Sequence, residues 1–447
     1  MVARTMAQKT VSRRQFLSGV AAGSVGLLLA GCAPKPAGQQ GAAPTQAAGV
    51  QPAPAEKVTI THWQHHNEAR AAIVKSLSEE FMQANPTVSV VFESVPYDAY
   101  FDKVVTSLEA GSGPDVYQIP ANIAIEFYNR KQIIAVPDEV MSRADIEKEF
   151  VPWTVRLLKF QGDYYGLPTD VQVWPLYVNT DLASAAGLDI EKGPQTWDEF
   201  REWAKALTKR DSSGNLEQAG VDICASAYQY YYQMPAQLCQ CLPVDDNYNV
   251  NYDSDWGIEA WQFVTDLVTK DGDDHPQFLA DQQKFSLGKA AMRISEYVGI
   301  GDLKLAAPDL KFKVFATPHP ASKPPSIMGS SWSYVVSSAS KQIKAAWSWV
   351  QFLTSAESQK KWAAGGGECP SRVALLADEE LRSNPNVAAA FDAFPTAIPM
   401  DGWGWDDVWT IRQAIWDRIV LQNADVAASV KQGAEEERAL YKKKFGL

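Results

Sequence analysis

Aromatic side chains occur in two settings along this chain, and one of them could do chemistry. Trp63 and the pair His65-His66 follow the first strand pattern, and Trp174 comes just after Pro168-Thr169-Asp170. Residues 228–232 hold four tyrosines in five positions, and Trp403 and Trp405 are flanked by Gly402 and Gly404. None of these falls on a helical apolar stripe. Flat rings with a polar tip give large rigid contact area, and charged or planar groups beside them give the stronger hydrogen bonds. That combination suits a molecule with one apolar C–H face and a rim of hydroxyls, such as a pyranose. Trp63, His66, Trp174, Trp403, Trp405 and, from the tyrosine cluster, Tyr230 are the candidates. Trp197, Trp203, Trp261, Trp347 and Trp362 recur at helical spacing and are expected in the core.

Other chemistries find little support. Adjacent histidines rarely share one metal ion. Asp271-Gly272-Asp273-Asp274 lacks the spaced ligands and terminal glutamate of a calcium loop and reads as a turn. No nucleophile elbow, phosphate loop or His-Glu-x-x-His stretch occurs. No metal and no cofactor are expected.

The elements that must position these residues alternate in type. Residues 58–63 read as a strand, and Ile73, Leu77 and Phe81 recur at helical spacing until Asn85-Pro86. Val88, Val90 and Phe92 alternate as a strand. A helical face through Phe101, Val104, Val105 and Leu108 follows, and then the apolar run Val116 to Ile119. Such alternation predicts a parallel sheet covered by helices. Thr196 and Glu199 have capping-box spacing before a helix carrying Trp197, Phe200, Trp203, Ala204 and Leu207. Thr354 and Glu357 repeat that spacing before Trp362.

The N-terminus sets the compartment. Arg4, Lys9, Arg13 and Arg14 precede a small, apolar run from Val20 to Ala30. That run is shorter than the about 20 apolar residues a spanning helix needs, so it reads as a signal peptide. Residues 33–56 are nearly all Ala, Pro, Gly and Gln, too poor in apolar residues to fold, and are expected to be a disordered tether. Without residues 1–31 the 41 basic residues fall to 37, against 53 acidic, a formal charge of −16. So acidic a chain is repelled by phosphate backbones, and nucleic acid is not an expected partner. The 416 residues that remain of 447 exceed one ordinary core, so two lobes are expected. Cys224, Cys239, Cys241 and Cys369 could pair in three ways or stay free.

Several segments carry resemblances. Leu29-Ala30-Gly31-Cys32 resembles the bacterial lipobox, which makes Cys32 the expected lipidation site. Ser12-Arg13-Arg14-Gln15-Phe16-Leu17 resembles a twin-arginine export signal, with the general secretory route as the alternative. Beyond them come Phe81-Met82-Gln83-Ala84-Asn85-Pro86, Gly113-Pro114-Asp115-Val116 and Tyr165-Gly166-Leu167-Pro168 with Leu176-Tyr177-Val178-Asn179. Next are Gly193 to Phe200, Phe285 with Ala290-Ala291-Met292, and Pro370-Ser371-Arg372. In this order the chain resembles the extracellular solute-binding proteins of ABC importers, in the maltose-binding-like, sugar-binding branch.

That resemblance implies an α/β, two-lobe fold with a ligand cleft and a hinge crossed three times, near 167–174, 292–297 and 327–332. It implies a first lobe of residues 57–168 plus 293–328 and a second of 169–292 plus 329–447. It implies a monomeric, non-enzymatic carrier, exported to the cell surface or periplasm, that hands a carbohydrate to a membrane permease. It adds Glu68, Asp170, Gln172, Tyr297, Trp332 and Arg372 to the candidate ligand contacts. The pattern departs at Gln118, Ile119 and Pro120, where an aromatic or acidic residue is common. The rival is an exported glycoside hydrolase, which needs two carboxylates about 5–10 Å apart. A further alternative keeps the fold but takes a polyol, a peptide or a phosphorylated alcohol.

Overall fold

The computed structural model describes residues 57–446 apart from 281, 367 and 402–404. The signal, Cys32, the tether and Trp403 lie outside the described residues, as does the side chain of Trp405.

Residues 58–65 alternate inward Ile60, His62 and Gln64 with outward neighbours, and form a strand. It pairs in parallel with Val88–Val95 on one side and Val116–Pro120 on the other. Trp332–Val336 runs antiparallel to Val116–Pro120, and Leu167–Pro168 completes this sheet. Every residue of Val116–Pro120 is buried, because helices cover both faces. Val116 joins Leu77, Phe81 and Trp347 on one face, while Tyr117 and Ile119 join Val104, Leu108 and Phe127 on the other.

The second sheet orders Phe312–Phe315, Leu176–Asn179, Ala290–Ile294, Leu216–Val221 and Lys209–Arg210. Its core sets Leu176, Val178, Val221 and Met292 against Phe200, Ala204 and Trp261, and reaches Ile415 and Tyr441 in the C-terminal helices. Between the two sheets lies a third. Its strand Ile327–Ser330 runs parallel to Ala397–Pro399 and antiparallel to Gln172–Val173. The chain's passages between lobes are therefore hydrogen-bonded to one another, which defines the hinge.

Strand pairing corrects the expected lobe boundaries. Phe312–Phe315 belongs to the second-lobe sheet and Trp332–Val336 to the first, so these segments sit opposite to expectation. No crossing occurs near 292–297, because the chain stays on the second lobe from Ala290–Ile294 to Phe312–Phe315. The third passage comes instead after Ser371, which is still bonded to Gln359 and Pro168 of the first lobe.

Local signals are also refined. Thr196 accepts from Glu199 N–H at 3.2 Å, but the Glu199 carboxylate takes the N–H of Gln195 rather than that of Thr196. Ser355, not Thr354, caps the helix Ala356–Gly366, accepting from Ser358 N–H; the Thr354 hydroxyl bonds back to Val350 in the preceding helix. Cys239 is joined to Cys241, and Cys224 and Cys369 are free thiols. Among the described residues no helix is long and apolar enough to cross a membrane.

Candidate functional site

The first strand ends at His65, and the Asn67 side chain caps the next helix by accepting from Arg70 N–H at 3.1 Å. This short turn sets His65, His66, Asn67 and Arg70 at the carboxyl end of a parallel sheet, where open α/β sheets form their crevice. A cavity of about 550 Å³ opens there, walled by both lobes and the hinge. From the first lobe come these four residues with Tyr97, Asn122 and Trp332. The hinge adds Gln172, Trp174, Ser331 and Met400; the second lobe adds Tyr228, Glu296, Asp302 and Trp409.

Aromatic rings line opposite walls. On the first-lobe side Trp332 lies 4.2 Å from the His65 ring and edge-on to Tyr97 at 6.5 Å. On the other side Trp174 meets Tyr228 edge-on at 5.6 Å, and Tyr228 lies 4.5 Å from Trp409. Between these walls several buried polar atoms have no protein partner: both polar atoms of Gln172, Trp174 Nε1 and Asn122 Nδ2. Buried polar groups normally find partners, so a cavity lined by such atoms is suited to a hydroxylated occupant or to water.

A charged network lies beneath. Arg70 pairs with Glu368 and lies 3.6 Å from Asp170. Arg70 Nη1 is 2.9 Å from His65 Nε2. A guanidinium can only donate, so that ring nitrogen accepts and His65 is neutral. Burial, reinforced by the neighbouring Arg70 charge, pushes His65 down to about 3. Asp170 is fully buried and accepts from the Trp332 backbone N–H at 3.0 Å. Burial raises its carboxyl while Arg70 opposes the shift. Asp170 thus positions Trp332 and Arg70 from below without lining the cavity. Burial also raises Glu296, whose carboxylate accepts from the Tyr228 hydroxyl at 3.3 Å.

Of the residues singled out from the sequence, His66, Gln172, Trp174 and Trp332 line the cavity. Others do not, for identifiable reasons. Trp63 shares a face with His65 but lies two residues short of the end of a strand that runs further than expected, where it packs against the Tyr100 and Val104 core and the Lys103 ammonium sits 4.1 Å over its ring. Glu68 opens the helix with a 95% exposed side chain, 3.4 Å from His66. Tyr230 is fully buried, donating to the Asp222 carbonyl and accepting from Ile294 N–H. Tyr297 packs in the hinge core with Val171 and Cys369. Arg372 is buried in the first lobe, where it bonds the Thr354 carbonyl and Glu149 and lies over Phe150. The residues missed include Arg70, Tyr97, Asn122, Tyr228, Glu296, Asp302 and Trp409. Tyr228 belonged to the tyrosine segment already noted and Glu296 to the expected crossing near 292–297, and Trp409 lies one helical turn beyond Trp405.

Residues 64–360 match the family of bacterial extracellular solute-binding proteins. A binding protein of Brucella abortus is 26% identical over 382 residues, which is 83% of this chain and 90% of that one. The maltotriose-binding protein of Pyrococcus abyssi is 26% identical over 394 residues, 85% of this chain and 81% of that one. Among solved structures, an ABC transporter solute-binding protein of Thermotoga lettingae bound with α-D-tagatose superposes with a TM-score of 0.72 at 22% identity, covering 86% of this chain and 99% of that one.

Proposed function

We propose that the cavity captures a carbohydrate, on the premise that this chain belongs to the bacterial extracellular solute-binding proteins. Proteins of this family bind solutes for ABC importers and are not enzymes, so the hydrolase reading falls. The observation that carries the choice of solute is the pairing of two aromatic walls with unpartnered buried groups at Gln172, Trp174 and Asn122. Rings stack on the C–H face of a sugar, and the free donors and acceptors meet its hydroxyls. The Pyrococcus abyssi relative, named for maltotriose, and the tagatose-bound structure support the same class.

The rest of the reading follows the fold. Solute lands on one wall, bending at the hinge sheet brings up the other, and the closed protein delivers its cargo to a permease. Residues 1–31 direct export through a twin-arginine-like signal. Cys32 carries the lipid, and residues 33–56 link a monomer to the membrane surface. The test is a thermal-shift screen of the purified protein against sugars, polyols, peptides and phosphorylated alcohols. A ligand at 100 times its Kd adds about 2.7 kcal/mol. A shift with one or a few sugars, recovered intact, is expected. A response confined to another class would overturn the choice of solute.

A further inference from the structure

The charges around the cavity do not balance. Arg70 is the one guanidinium or ammonium side chain among the described residues lining it, and its charge is already met by Glu368 and Asp170. His65 beside it is neutral. Facing them, the second lobe presents Glu296, half-buried in the wall, and Asp302 at the rim. Neither forms an ion pair among the described residues, although the Arg70 charge reaches both and Arg293 reaches Asp302; the Glu296 carboxylate accepts from the Tyr228 hydroxyl at 3.3 Å. Tyr228 in turn touches the rings of Trp174 and Trp409, so this carboxylate stands at the edge of an aromatic cluster. A carboxylate with no cation against it attracts one by charge and takes it in a charge-assisted hydrogen bond. Gln172, 3% exposed and with both polar atoms unpartnered, leaves the hinge wall free to serve hydroxyls.

We infer that the preferred carbohydrate carries a protonated amine, an amino sugar whose ammonium sits against Glu296 with Asp302 behind it at the rim. This rests on the carbohydrate reading above. It has a converse: phosphorylated sugars and uronic acids, which bring a further negative charge to a wall that already holds two carboxylates, bind worst.

The experiment compares matched pairs by calorimetry at near-neutral pH, where much of the sugar amine is still protonated and the Glu296 carboxyl, raised by burial, is more fully ionised than in acid. The probes are glucosamine against glucose, galactosamine against galactose, mannosamine against mannose, the corresponding disaccharides, and the N-acetyl forms. The amine member is expected to bind about tenfold tighter than its neutral or N-acetylated counterpart, the order of one hydrogen bond to a charged group. Glu296→Gln should abolish that preference while leaving the unliganded melting point in place. Asp302→Asn, at the exposed rim, should shrink the preference without risk to folding. Neutral sugars binding as well as or better than their amines would overturn this inference and leave the carbohydrate reading standing. Binding to no sugar of either kind would remove both.

Discussion

Gln172 is buried in a hinge strand, yet neither its amide nitrogen nor its oxygen has a protein partner. An unpartnered buried amide costs free energy, whereas an apolar side chain of similar shape does not. Gln172→Met is therefore expected to leave the unliganded protein as stable as the parent, or raise its melting point, while weakening solute binding about fivefold or more. Equal affinity in parent and variant would remove Gln172 from the binding wall. The same scale shows what the sequence could reveal about the site. Trp174, Trp332 and Gln172 were legible because they sit where the chain passes between lobes. Tyr228 and Tyr230 were not separable, because about half a turn of helix sends one ring into the cavity and the other into the core. Arg70 and Glu296 were hidden for a different reason. Their environment is made by Asp170, Glu368 and Tyr228, which come from distant parts of the chain.

At the scale of elements, periodicity located the strands and helices well. Residues 58–65, 88–95 and 116–120 alternate or run apolar as a covered parallel sheet requires, and Thr196 caps its helix. Strand membership was less legible, since Phe312–Phe315 and Trp332–Val336 read alike along the chain and only pairing assigns them to opposite lobes. The C-terminal helices Trp405–Val420 and Val426–Phe445 are tied to the hinge by a buried charge cluster. Arg412 meets Asp401 at 2.7 Å and Glu437 at 3.0 Å, and Asp401 also accepts from Val244 N–H. Removing one partner of such a cluster leaves uncompensated buried charge. Arg412→Met should destabilise the protein by about 3–5 kcal/mol in urea unfolding. It should also loosen Trp409, which shares the helix with Arg412. A loss below 1 kcal/mol would show that the cluster does not hold this end of the molecule together.

At the scale of the whole molecule, the sequence of the acidic, two-lobed part is preceded by a short stretch with four basic residues and a segment rich in Ala, Pro, Gly and Gln. The lipid attachment proposed at Cys32 predicts that Cys32→Ser moves the protein from the membrane fraction to the soluble exported fraction without changing its affinity for solute. Retention in the membrane fraction would refute the anchor. The central claim, that two aromatic walls close on a sugar and do no chemistry, meets its most direct test in calorimetric titration of the parent and of Trp332→Ala with a sugar identified by the screen. One site per chain, an affinity at least about tenfold weaker in the variant, and unaltered sugar after the titration are expected. Equal affinity in both proteins, or sugar consumed by the parent, would contradict it.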